Sequence, residues 1–255
     1  MFQYGEFNTS DVDGLEAVLQ SWPGLPGLAI ETVEVPGQDG AFYAAGRLGQ
    51  GGFGFDLTIT SDTPAGALSL ASGVAEACAP SHGLQPLALD LAPGWVWYAA
   101  AAAELKWARG LWVPGAQCTL KAPLTFQCPD PYGYAVPDET ASGTTTATID
   151  RTRGNVTSWP RIEVQGTFTA VHLDVGGDGL DVEVAVAAGE RLVLDYADMD
   201  FAVWDAAGTS KLRHATKGMS HYDRLALPLG ETVVTATPTG GTVTALAIKA
   251  NSRRA

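Results

Sequence analysis

The chain has 255 residues, of which 17% are charged, with 30 glycines, 15 prolines and a formal net charge of -13 at pH 7. That acidity excludes a nonspecific grip on nucleic acid, which needs clustered Lys and Arg, and no basic stripe interrupts it. Low charge, many turn formers and short strand-like runs favour an all-β chain, long enough for one large β domain or for two ordinary ones.

The first ten residues, MFQYGEFNTS, carry neither a basic n-region nor an apolar h-region, so Sec export is not encoded in them. The longest apolar run, 96–103, is alanine-heavy, is broken by Glu104 and Lys106, and falls short of the roughly 20 residues of a membrane span. The expectation is a soluble protein made in the cytoplasm, with no membrane insertion. Cys78, Cys118 and Cys128 lack CxxC or Cys/His metal spacing and read as small core hydrophobes; a Cys118–Cys128 bridge is left open by spacing alone.

In chain order, residues 2–7 read as a short edge strand, and Asn8 to Gly14 as a loop of turn formers. Residues 28–35 and 41–45 flank Pro36-Gly-Gln-Asp-Gly40 and predict a hairpin. Phe53, Phe55, Leu57 and Ile59 alternate with strict period two, the clearest strand signal in the chain. Ser61-Asp62 then offers an N-cap and Pro64 a first helical turn, while Leu68, Leu70, Val74 and Cys78 approximate one apolar face before Pro80 and Gly83. This predicts the one helix, near 64–79. A strand at 87–91 and a turn at 92–94 lead into a two-part excursion, 95–105 and 107–120, which holds Trp95, Trp97, Trp107 and Trp112.

Leu124 and Phe126 alternate with Thr125 and Gln127 until Pro129 and Pro131 forbid further pairing; after Gly154-Asn155 and Pro160, Ile162 and Val164 begin a new sheet. That seam favours two domains, 1–140 and 141–255. In the second, 144–149 is a strand or a linker, and strands are expected at 161–164, 168–175, 180–187, 191–196, 201–204, 222–227, 232–237 and 242–249. Eight short strands punctuated by turns describe a two-sheet jelly roll.

The four tryptophans of the excursion read either as packing inside the sheet or, given more apolar area than a small domain readily buries, as contacts between subunits. The second reading is favoured.

The joint order of Pro36-Gly-Gln-Asp-Gly40, a single helix, Phe126-Gln-Cys-Pro-Asp-Pro-Tyr132, Gly154-Asn155 and Pro160-Arg-Ile-Glu-Val-Gln-Gly166 resembles the distal tail protein (Dit) family of siphophages, across nearly the whole chain. The family often has Arg where Gln38 stands here. The resemblance implies an N-terminal β-sandwich that forms a six-fold ring, a belt-like β-hairpin extension near 94–122 and a galectin-like C-terminal sandwich. It implies a structural adaptor of the virion's tail tip, assembled in the host cytoplasm. The ring would join the tail tube to hub or fibre proteins and let DNA pass, with no cofactor and no catalysis. Six copies at -13 each carry -78, and charge facing the channel would repel phosphate.

Other chemistry is weakly signalled. His82, His172, His214 and His221 are scattered without metal spacing. Gly176-Gly-Asp-Gly-Leu-Asp181 is a single copy of a calcium-repeat unit and reads as a β-turn, and Gly49-Gln-Gly-Gly-Phe-Gly54 lacks the helix and Lys of a phosphate loop. Asp195, Asp198 and Asp200 with Glu190 raise a glycosidase pair but read better as an acidic strand end, and no GxSxG is present. Sandwiches of this type bind sugars through exposed aromatics, which makes Trp159, Tyr196, Trp204 and Tyr222 candidate contacts to a host glycan against the commoner reading as core.

Overall fold

A computed structural model of the chain describes residues 1–22, 27–34, 39, 41–102, 104–197 and 199–255. The chain divides into two compact units, 1–133 and 134–254.

The first unit contains β1 (Phe2–Tyr4), β2 (Phe7–Asn8), β3 (Leu15–Ser21), β4 (Leu28–Glu34), β5 (Ala41–Leu48), β6 (Gly51–Ser61), α1 (Pro64–Ala77), β7 (Gln85–Leu89), β8 (Trp95–Ala101), β9 (Ala108–Val113) and β10 (Gln117–Cys128). The main sheet runs β2-β1-β7-β8-β10-β6-β3, with β9 paired to β10. Its spine is the antiparallel β6–β10 pair, in register from Gly51↔Cys128 to Ser61↔Cys118. The period-two pattern puts Phe53, Phe55, Leu57 and Ile59 of β6 and Leu120, Leu124 and Phe126 of β10 on one buried face. Rings of β1 close over that face: Phe2 lies 4.5 Å from Phe55 and 5.3 Å from Phe126, and Tyr4 4.7 Å from Phe126, centroid to centroid. The sheet therefore folds back on its own core, and Ala67, Ala71 and Val74 of α1 seal one side.

The helix begins one residue after Thr63, whose hydroxyl accepts from the Gly66 amide; Thr63, not Ser61-Asp62, is the N-cap. β3 occupies a stretch, just after the loop of turn formers, for which no strand was expected; Leu15 and Ala17 face the core from the sheet's edge. The 95–120 excursion is not one projecting hairpin, because β8 is an interior strand bonded to both β7 and β10. Residues 28–34 and 41–48 do pair antiparallel, as a two-stranded sheet of their own. Their turn, 36–40, lies outside the described residues apart from Asp39. Cys118 and Cys128 stand ten positions apart on the extended β10, roughly 33 Å, which leaves no bridge between them, and all three thiols are free and buried.

β11 (Gly133–Ala135) begins at the last residue of the first unit, and the second unit continues with β12 (Thr140–Gly143), β13 (Thr146–Arg151), β14 (Arg161–Thr167), β15 (Ala170–Val175), β16 (Asp178–Val182), β17 (Arg191–Asp195), β18 (Asp200–Trp204), β19 (Lys211–His214), β20 (Gly230–Thr239), β21 (Thr242–Lys249) and β22 (Arg253–Arg254). Two sheets, β12-β21-β14-β17-β18-β19 and β13-β20-β15-β16, enclose a core that includes Ile149, Ile162, Val164, Leu173, Leu192, Leu194, Val203, Val234, Leu246 and Ile248. This is the expected sandwich. Residues 219–225 form a 3-10 helix where 222–227 was expected as strand, and β12 and β19, too polar or too small to show a pattern, went unread. The Gly176-Gly177 pair is a plain hairpin turn: both glycines have positive φ, +64° and +101°, and the Asp174 carboxylate accepts from the Gly177 amide.

Candidate functional site

Within the first unit the four tryptophans part company. Trp97 is 5% exposed and belongs to the core, 5.2 Å from Phe53 and 5.7 Å from Trp22, with its indole so close to Gly133 that a Cβ there would stand 2.6 Å from it. It is enclosed by its own unit and is withdrawn from the subunit-contact set. Trp95, Trp107 and Trp112 are half-buried against the same core. Trp112 sits on β9 between exposed Leu111 and Val113, and the Arg109 guanidinium lies 6.0 Å from its ring. A second apolar surface is one the sequence did not single out. On the β4–β5 pair, Val33 and Phe42 stand directly opposite each other and are 54% and 59% exposed, with Ile30 at 58%.

In the second unit, three of the four candidate glycan contacts come together and one does not. Trp159 stacks on Tyr196 at 5.2 Å and 16°, Tyr196 meets Tyr222 edge-on at 4.5 Å, and the Arg253 guanidinium caps Trp159 at 4.4 Å. Tyr222 also stacks on Phe201. The ladder thus consumes ring faces in packing. Beside it, Arg151 is 1% exposed and donates to the backbone carbonyls of Leu227, at 3.0 Å, and of Val156. A buried guanidinium spent on two loop carbonyls pins the chain around the ladder. Trp204 lies elsewhere, on β18, with the Lys211 ammonium 5.4 Å from its ring.

Trp204 pairs with Arg191 and Lys211, and register fixes the rest of that sheet face. On the outer face of the six-stranded sheet, Thr140, Lys249, Arg161, Asp195 and Asp200 make one row, and Ser142, Ala247, Glu163, Val193, Ala202 and His214 the next. Arg161 donates to Glu163 at 2.8 Å and to Asp195 at 3.0 Å, and Asp200 takes Lys211 at 3.0 Å. Burial opposes the Arg161 charge, but those two carboxylates more than offset it and hold its pKa above the ordinary arginine value. Glu190 binds Arg213. Each described carboxylate of the suspected acidic cluster therefore has its own cation; Asp198 lies outside the described residues. Among the described residues no three His, Cys, Asp or Glu side chains converge on a metal-sized site.

Two β units, with one α-helix among the described residues, make a fold that solved proteins of phage tails share. In particular, 99% of the chain superposes on 98% of the Dit protein of phage SPP1, described as a paradigm of the hub adsorption apparatus of phages that infect Gram-positive bacteria, with a TM-score of 0.69 at 15% identity. The baseplate of phage P2 in its activated conformation contains a similar chain, with a TM-score of 0.53 at 10% identity over 100% of this chain and 98% of that one with Ca. The form with Sr gives 0.52 at 10% identity over 98% and 97%. The Dit-like fold expected from the order of motifs is the fold observed. No protein-family model matches the chain, and no curated protein does.

Proposed function

We propose that this protein is a structural component of a phage tail tip: a ring, of six copies, that joins the tail tube to hub or fibre proteins, leaves a channel for DNA and performs no chemistry. The observation that carries the reading is the full-length match to the SPP1 Dit fold, both units included.

Two features of the first unit support it. Leu111, Trp112 and Val113 on β9, and Ile30, Val33 and Phe42 on the β4–β5 pair, are apolar area on strands, the kind of surface a neighbouring copy covers. The belt-like element of the ring is accordingly assigned to the separate β4–β5 pair, because β8 is locked inside the main sheet. Charge is also unevenly shared. Residues 1–133 hold four Lys and Arg against thirteen Asp and Glu, a net of -9, whereas residues 134–254 hold eleven against fifteen, a net of -4. A ring built on the first unit would concentrate negative charge near its channel and keep DNA phosphates from adhering.

Immunogold labelling of phage particles that carry this chain tests the assignment. Label confined to the distal end of the tail is expected; label on the capsid, along the tail shaft or absent from intact particles overturns it.

A further inference from the structure

The outer face of the second unit's six-stranded sheet carries a groove. It has a volume of about 430 Å³ and is lined by Thr140 and Ser142 on β12, Ala247 and Lys249 on β21, and Arg161 and Glu163 on β14. That size falls within the range of about 300–1,000 Å³ typical of small-ligand sites. Its three strands are neighbours in the sheet, and register aligns Thr140, Lys249 and Arg161 in one row and Ser142, Ala247 and Glu163 in the next.

The lining has a definite chemistry. Ala247 gives a shallow, small floor on which a ring can lie flat. Arg161 is held by Glu163 and Asp195, so its guanidinium is an oriented donor whose charge is already balanced. Lys249, one strand away, has no ion-pair partner among the described residues, and the hydroxyls of Thr140 and Ser142 have no hydrogen-bond partner there either. The groove therefore combines free hydroxyls, a fixed fork of donors, one carboxylate acceptor and one uncompensated cation, on a chain whose net charge is -13. Apart from Ile248, whose side chain is buried in the sandwich core, no large apolar side chain lines it, so it lacks the anchor pocket that a peptide or protein partner uses.

We propose that this groove binds an acidic saccharide, its hydroxyls met by Thr140, Ser142, Glu163 and Arg161 and its anionic group by Lys249. The site shares no lining residue with the aromatic ladder. The shared chemistry is a sugar bearing an anionic substituent, carboxylate or phosphate.

The test is an NMR titration of the full chain at low salt with three probes: trigalacturonate, glucose 6-phosphate and neutral maltotriose. At least one acidic probe is expected to saturate with a Kd of about 1 mM or tighter, the neutral probe to bind at least about tenfold more weakly, and the shifted amides to map to β12, β21 and β14. Which acidic probe binds better distinguishes carboxylate from phosphate. Lys249 is exposed, so Lys249→Ala should leave the fold intact while weakening the acidic probe by about tenfold, the effect of one lost charge-assisted contact. Thr140→Ala, a second exposed position, should weaken it by less. No saturable binding of either acidic probe overturns the proposal. So do equal binding of maltotriose, shifts that map elsewhere, and an unchanged Kd in both variants.

Discussion

Phe126→Ala probes the two-core architecture directly. Phe126 is fully buried on β10, with its ring 5.3 Å from Phe2, 4.7 Å from Tyr4 and 5.9 Å from Phe55. Truncating a buried phenylalanine to alanine costs about 3–5 kcal/mol, from lost transfer energy plus the cavity left behind. Three aromatic partners place this site toward the upper end, since each such pair adds about 0.5–1.5 kcal/mol, not additively. With a urea m-value of about 2 kcal/mol/M, a loss of about 4 kcal/mol lowers the first unit's midpoint by roughly 2 M. Methyl NMR during urea titration separates the units, because Ile59 reports the first core and Ile149, Ile162 and Ile248 the second. The Ile59 transition should move and the other three stay in place. A shift below about 0.5 M at Ile59 refutes the packing argument, and an equal shift at all four residues refutes the separate cores.

Three further outcomes follow from single sites. Asp205 accepts from the Thr209 amide at 2.8 Å and hydroxyl at 2.9 Å and from the Ser210 hydroxyl at 2.8 Å, which pulls its pKa down to about 2. Its folded value lies below the unfolded one, near 3.9, so its contribution to loop order is present above about pH 4 and is lost as pH falls toward 2. A carboxyl ¹³C titration with a midpoint near 4 contradicts this. Burial pushes the Cys78 thiol up to about 11 and the Cys128 thiol up to about 12, so native protein at pH 8 should resist Ellman's reagent while denatured protein titrates all 3 cysteines. Rapid labelling of native protein, or a disulfide found by mass spectrometry, contradicts the buried free thiols. Phe42→Glu replaces an exposed ring of the β4–β5 pair; self-association should fall at least about tenfold while Tm changes little, and unimpaired assembly removes that surface from the subunit contact.

What the sequence disclosed follows from which forces act locally. The strict alternation of β6, the proline stop after Cys128 and the helix after Pro64 are visible because backbone chemistry and one-sided burial are written into adjacent residues. β3 carried a readable alternation, Leu15 and Ala17, that the neighbouring turn formers masked. The order of strands was not readable: nothing in Trp-Val-Trp-Tyr distinguishes a central strand from a projecting one, and only the pairing of β8 with β7 and β10 shows that Trp97 is already enclosed. Aromatic identity alone suggested four glycan contacts, yet three of them spend their faces on one another. The saccharide groove was invisible for a related reason. Its walls come from residues 140–142 and 161–163, about twenty positions apart, and from 247–249, about ninety further on, and none of them is unusual until register sets them side by side.

The proposed role stands or falls on whether copies of this chain close into a ring. Native mass spectrometry with negative-stain imaging, on protein concentrated alone and mixed with a tail-tube protein of the same phage, is the decisive measurement. The account predicts six copies around an open centre; a single copy under both conditions, or an open filament with no closed particle, contradicts it.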